Sequence, residues 1–530
     1  MVNALLIASV IILACLFCNK VFSRFGIPAL LIFILLGMFF GTDGIIKIQF
    51  DNFNFAEQIC SIALIFIMFY GGFGTKWSEA KPVAVKAVLL SSLGVILTAG
   101  IVGIFCYFVL KTELLESLLI GAVISSTDAA SVFSILRSKR LNLKYNTASL
   151  LEVESGSNDP CSYMMTVILL SIMNGSSTNI AYMIFAQLVY GIGCGFIIAK
   201  LSILVLKKTN ISDGSYETIF VFAMVVLSYA IPSAIGGNGY LSTYIFGILL
   251  GNYPLKNKKS LVHFFDGITG LMQMLLFFLL GLLAFPSQMP KIVIPALLIA
   301  LFLTFIARPV SIFALLTPFK CRVNQQLLIS VAGLRGAASI VFAIMTVTSS
   351  ANTSMDIFHI IFIIVLFSIL FQGTLLPYAS KKLNMIDESG NVMKTFNDYT
   401  DEVPVQFIQF TIKENHPWAG KPVHDILLPP ETLFVQLRRG KSRITPDGNT
   451  VLEAGDTLIL TAKASHVSDG VNLTEIVLDN SNRWVGQNMS SIDLDPGKLV
   501  IMIQRGDGIV IPNGSTVLES GDKLVINQYE

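Results

Sequence analysis

Ser125-Ser126-Thr127-Asp128 and Gly333-Leu334-Arg335-Gly336-Ala337-Ala338-Ser339 each interrupt an otherwise apolar stretch, residues 114–136 and 323–348. A carboxylate or guanidinium in such surroundings is unfavourable enough to mark a functional position. Four polar side chains in a row, and glycines flanking Arg335, read as breaks in membrane-crossing helices. Backbone freed by a break is tolerated at membrane depth only where it lines a cavity or packs on protein. Close packing of small residues is the plainer reading of Gly333 and Gly336, but it leaves Asp128 and Arg335 unexplained. Two interrupted segments in corresponding positions of two halves point to an inverted-repeat transporter with a site near the midplane.

Thirteen stretches long enough to cross roughly 30 Å of hydrocarbon recur from residues 3–20 to 354–380. The chain is 54% apolar and 13% charged, where soluble domains carry roughly a quarter charged residues. Residues 1–380 hold 22 Lys and Arg against 14 Asp and Glu, while residues 381–530 hold 14 against 20. The polar part is therefore the acidic part, which excludes nucleic acid as a primary partner. Lys and Arg concentrate in alternate connections, from Lys20/Arg24 and Lys76/Lys81 to Lys320/Arg322 and Lys381/Lys382. That alternation predicts an N-terminus outside and a cytoplasmic tail. The first stretch reads as a span, because Ile12-Leu13-Ala14-Cys15 lacks the basic leader context of a lipoprotein signal. All seven cysteines lie in the apolar part and read as small buried residues.

From Val403 the pattern changes to short alternating apolar runs broken by Gly, Pro, Asp and Asn, which predicts β-rich structure. The tail repeats itself at an offset of 66 residues: Trp418 aligns with Trp484, Arg439-Gly440 with Arg505-Gly506, and Thr450–Asp456 with Thr516–Asp522. We expect a membrane domain over 1–382, a linker over 383–402, and two α+β domains over 403–466 and 467–530. The repeat resembles the RCK C-terminal (TrkA-C) module. That resemblance implies domains that pair and bind a small regulatory ligand, such as cyclic di-AMP or another adenine nucleotide. Arg438, Arg439 and Arg505 are the nearest cations. No GxGxxG unit precedes the repeats, so a Rossmann domain is not implied; assembly domains without a ligand are the simpler alternative.

Few ionisable groups lie deep in the spans: Asp128, Glu152, Glu154, Asp159, Arg308 and Arg335, with Asp266 a weaker member. At 1.5 Å per residue Asp159 lies roughly 18 Å into the sixth span, so it and Asp128 reach the midplane from adjacent helices. Ser155 and Asp159 are spaced i,i+4, and Glu152 extends the same stripe toward the cytoplasm as an access path. Glu154 is rotated by roughly 140° from Asp159, and Arg308 is its natural partner, since a lone buried charge of either sign is unfavourable. The histidines show no ligand spacing and no metal cofactor is required.

Thr127-Asp128, Leu151-Glu152-Val153-Glu154-Ser155-Gly156-Ser157-Asn158-Asp159, Ala307-Arg308-Pro309 and Gly333-Leu334-Arg335-Gly336 together resemble the signatures of monovalent cation:proton antiporters of the NhaP/NHE type. With the tail modules, the likeness is to bacterial potassium/proton antiporters more than to sodium-selective ones. Val153, where the family often has Gly, and Gly156-Ser157, where it often has Leu-Leu, are departures that leave ion preference open. The resemblance implies an all-α polytopic fold with two broken crossing helices, elevator-type alternating access and a homodimer. It also implies a carboxylate, Asp159, that releases a proton before binding K⁺ or Na⁺. Because Asn158 stands beside it, one charge is neutralised by either ion, and exchange is expected to be electroneutral. Thr127, Ser155 and Asp128 would add oxygens suited to a hard cation. A ligand-gated potassium channel and an intramembrane aspartyl enzyme using Asp128 and Asp159 are the rival readings.

Overall fold

The computed structural model describes residues 2–22, 28–128, 131–132, 135–136, 141, 143–208, 214–255, 257–387, 405–414, 416–428, 432–440, 442–463, 472–479, 482–494, 498–505, 508–510 and 512–528. They form two compact units, Met1–Thr400 and Asp401–Glu530. Arg24, Gly506 and the expected linker beyond Asp387 lie outside the described residues.

The first unit is built of helices: α1 (Val2–Phe22), α2 (Ala29–Phe40), α3 (Phe53–Gly74), α4 (Ala84–Leu110), α5 (Leu114–Ile124), α6 (Thr147–Met173) and α7 (Ile180–Lys208). They continue as α8 (Gly214–Ala234), α9 (Gly239–Gly251), α10 (Lys258–Leu283), α11 (Met289–Phe319), α12 (Val323–Val331), α13 (Ala337–Thr348) and α14 (Ile357–Lys382). Helix is the form in which a single apolar segment satisfies its own backbone in lipid. Among the described residues, seven helices are long and apolar enough to cross a membrane by length and composition, so this is a helical membrane domain with several apolar spans. Small residues let the helices approach closely. A Cβ on Gly281 of α10 would collide with the Ile34 carbonyl of α2, and one on Gly251 of α9 with the Phe73 carbonyl of α3. The unit runs into the first residues of the expected linker, where Lys144 N–H donates to Met385 O at 2.9 Å and Leu143 bridges Ile386.

The backbone leaves helical geometry at Ser125–Asp128, after α5, and at Gly333–Gly336, between α12 and α13. Pro160 lies inside α6; lacking an N–H, it removes the helical donor that the Gly156 carbonyl would otherwise have.

The second unit holds two four-stranded antiparallel sheets. The first comprises β1 (Val405–Thr411), β2 (Thr432–Arg439), β3 (Ser442–Ile444) and β4 (Thr457–Lys463) in the order β1-β4-β2-β3. The second comprises β5 (Asn472–Val477), β6 (Lys498–Arg505), β7 (Gly508–Val510) and β8 (Lys523–Gln528) in the order β5-β8-β6-β7. The repeat extends to register: Arg438 pairs with Thr457 and Gln504 with Lys523, with bulges at Phe434/Gln436 and Val500/Met502. The α+β expectation is corrected here. Among the described residues of this unit the only helical element is a 3₁₀ turn at Val423–Asp425, because the connections carry Pro and Gly, which favour turns.

Candidate functional site

The two breaks meet. Asp128 N–H donates to Leu334 O at 2.8 Å, joining one interruption to the other. The buried Arg335 guanidinium donates through Nη1 to the carbonyls of Ser125 and Ser126 at 2.7 and 2.8 Å. A cation thus covers carbonyl groups that the end of α5 leaves without helical donors. Arg335 N–H is held by Ser368 Oγ at 2.9 Å. Gly336 lies against the Asp128 carboxylate so closely that a Cβ would overlap it, and a Cβ on Gly333 would stand 2.8 Å from Arg308 Nε. Both glycines are required by close approach.

A cavity of about 410 Å³ opens beside this crossing. One wall is Ser126, Thr127, Asp128, the α6 face with Glu152, Ser155, Gly156 and Asp159, and the start of α13 at Gly336–Ala338. The lining also takes in α3 with Leu64, Tyr70 and Gly71, and α10 with Asp266, Thr269 and Gln273. Asp159, 6% exposed, accepts a hydrogen bond from the Ser126 hydroxyl. Ser155 Oγ donates to Thr127 O at 2.6 Å, and Asn158 Nδ2 donates to Thr127 Oγ1 at 2.5 Å. Asp128 accepts from Ser131 Oγ at 2.6 Å and Ser131 N–H at 3.3 Å. Glu152 lies on the cavity stripe with Ser155 and Asp159.

Glu154 turns away from this cavity. Arg308 meets it in fork geometry, with Nη1–Oε1 at 2.9 Å and Nη2–Oε2 at 3.0 Å, both side chains at most 3% exposed. Asn158 Nδ2 reaches both groups, 2.5 Å from Thr127 Oγ1 and 3.4 Å from Glu154 Oε1.

Sequence reasoning missed Ser126 as a partner of Asp159, Tyr70, and Thr269 and Gln273 beside Asp266 on α10. Ser126 stood in the quoted quartet, but its direction depends on how the break turns. Tyr70, whose hydroxyl donates to Asp266 Oδ1 at 3.0 Å, carried no signal, because a tyrosine in an apolar span is ordinary.

In the tail, Arg439 and Arg505 are engaged within their own repeats. Arg439 grips Asp456 through Nε at 2.8 Å and Nη2 at 2.7 Å, Glu453 at 2.6 Å and Val451 O at 2.8 Å. Arg505 does the same with Asp522 at 2.8 and 2.7 Å, with Glu519, and with Val517 O at 2.8 Å. These bonds hold the Asp456 and Asp522 carboxyls below their usual range. Both arginines, named from the sequence as the cations nearest a ligand, tie a strand end to a Gly-Asp turn within their own repeats. Arg438 Nε donates to Gly440 O at 3.3 Å.

Helices broken back to back over a buried carboxylate, in a domain of apolar spans, define a secondary transporter. A family profile described as sodium/hydrogen exchanger, transmembrane, matches residues 7–382, and the TrkA-C domain matches residues 407–469 and 473–526. The chain is 32% identical over 472 residues to the K(+)/H(+) antiporter NhaP of Alkalimonas amylolytica, covering 88% of this chain and 82% of that protein. It is 31% identical over 470 residues to the K(+)/H(+) antiporter NhaP2 of Shewanella sp. (strain ANA-3), covering 86% and 80%. The solved structure of the sodium proton antiporter MjNhaP1 from Methanocaldococcus jannaschii superposes with a TM-score of 0.64 at 24% identity, over 72% of this chain and 99% of that one. The chain belongs to the sodium/hydrogen exchanger family of cation/proton antiporters and carries two TrkA-C domains. It is a transporter, which removes the aspartyl-enzyme reading.

Proposed function

We propose that the chain exchanges K⁺ for H⁺ electroneutrally, with Asp159 neutralised alternately by a proton and by the cation. One observation carries the mechanism: among the described residues Asp159 borders the cavity without an ion pair, whereas Glu154 on the same helix is tied to Arg308. A carboxylate lacking a permanent counterion is free to take either ion, and competition for one site makes exchange obligatory. Asp128, Thr127 and Ser155 supply further oxygens at the crossing. Potassium is preferred over sodium in this reading because relatives at 31–32% identity over most of the chain are named for K⁺/H⁺ antiport.

The cavity is lined both by the crossing with α6 and by α3 with α10. That division supports an elevator in which the first group slides past the second, within thirteen spans arranged as inverted repeats and paired as a homodimer. We place the N-terminus outside the bacterial cell membrane and the tail in the cytoplasm, where it regulates transport. A tail ligand such as cyclic di-AMP would be held by main-chain amides and apolar contacts, since Arg439 and Arg505 are already engaged. Proton release from reconstituted vesicles, titrated separately with K⁺ and Na⁺ under imposed membrane potentials, tests the core of this reading. Half-saturation at lower K⁺ than Na⁺, with rates indifferent to potential, is expected. Potential-driven exchange would require a second transported charge, and currents exceeding antiporter turnover would make the protein a channel.

A further inference from the structure

The α10 wall of the cavity carries chemistry that exchange at Asp159 does not use. Asp266, Thr269, Gly270 and Gln273 line it at the i, i+3, i+4, i+7 spacing that keeps one helix face toward one partner. At 1.5 Å per residue Asp266 lies roughly 12 Å along α10 from Lys258, and Gln273 roughly 22 Å, so the stripe runs inward from an end rich in lysine. Asp266 is exposed and lines the cavity, with Oδ1 accepting from Tyr70 at 3.0 Å. Thr269 is 6% exposed and borders the same space, yet its Oγ1 has no hydrogen-bond partner. A buried hydroxyl without a partner is uncommon and calls for an occupant that donates to it or coordinates it. Together a carboxylate, a hydroxyl and the Gln273 side-chain carbonyl make an oxygen-only set, which suits a hard cation.

We propose that Asp266 and Thr269 form a second monovalent-cation subsite on the α10 wall, which captures a partly hydrated cation and passes it to Asp159. The inference rests on the antiport reading and adds where the ion waits. With Asp266 held by Tyr70, the subsite raises the local supply of cation and leaves proton exchange to Asp159. The function of such a group is uniform binding, whose loss raises the half-saturating concentration and spares the maximal rate.

Two measurements on the full-length protein test it. In vesicles, Asp266→Asn is expected to raise the half-saturating K⁺ concentration about tenfold, equivalent to about 1.4 kcal/mol, with exchange recovering at saturating K⁺. Thr269→Val should shift it in the same direction by a smaller factor, and Tyr70→Phe, which keeps the carboxylate, by less still. In detergent, Asp159→Asn protein should retain thermal stabilisation by KCl relative to choline chloride, and adding Asp266→Asn should remove it. An unchanged half-saturation in Asp266→Asn, a loss of exchange that saturating K⁺ does not restore, or no KCl stabilisation in Asp159→Asn each overturns the subsite. Failure of the antiport reading is distinct: the unaltered protein would then release no protons with either cation.

Discussion

The two sides of α6 treat carboxylates in opposite ways. On one side Glu154 is clamped by Arg308 at 2.9 and 3.0 Å, with both side chains buried. On the other, Asp159 borders a cavity of about 410 Å³ and, among the described residues, receives only the Ser126 hydroxyl. Helical rotation of roughly 140° between the two positions separates them, so one helix serves both as a fixed strut and as a site. A charge with a permanent partner is structural, because any competing cation must displace a guanidinium held by two hydrogen bonds. A charge with only a hydroxyl donor remains available to small ions.

The largest effect that could break this contrast is on exchange itself. Asp159→Asn keeps the side chain's size and removes its charge, and exchange should fall to background in vesicles, while Asp128→Asn should leave a severely impaired protein. Near-normal proton release by Asp159→Asn would mean that the cavity side of α6 is not where the ions compete.

The strut side should respond in stability. Glu154→Gln or Arg308→Ala each strands a buried charge, an effect on the order of 3–5 kcal/mol, read as a lower melting temperature or yield in detergent. The double variant should be milder than the sum of the two, and strict additivity would remove the coupling.

The tail sharpens the comparison with a third setting, in which Arg439 and Arg505 pair with buried carboxylates while remaining about a third exposed themselves. Arg439→Gln or Arg505→Gln should weaken its repeat by about 1–3 kcal/mol, toward the lower end because the guanidinium is partly screened. The folded carboxyls titrate below their ordinary value of about 3.9. Their contribution is therefore present above that pH and is lost as pH falls through the folded value. Hydrogen exchange over β4 and β8 should show the deficit at neutral pH and a narrowing gap in acid. A constant gap at all pH values would make the arginines packing elements instead of charge partners.

Much of the tail was legible in advance, since the 66-residue offset that aligns Thr450–Asp456 with Thr516–Asp522 reappears residue by residue in the strand register. Its arginines were not, because a cation at a strand end looks the same in sequence whether it faces a ligand or folds back on a Gly-Asp turn seventeen positions on. In the membrane unit the sequence by itself determined the apolar spans, the two interruptions, and the sorting of α6 into a Glu152–Ser155–Asp159 stripe and a separate Glu154. All of these follow from local composition and helical period, which are properties of one segment at a time. Only the tertiary structure decided that the two breaks meet, that Arg335 covers the Ser125 and Ser126 carbonyls, and that Asp266 with Thr269 shares a cavity with Asp159. Such contacts join segments more than a hundred residues apart, and their partners are chosen by how whole helices pack, which no single stretch of sequence encodes.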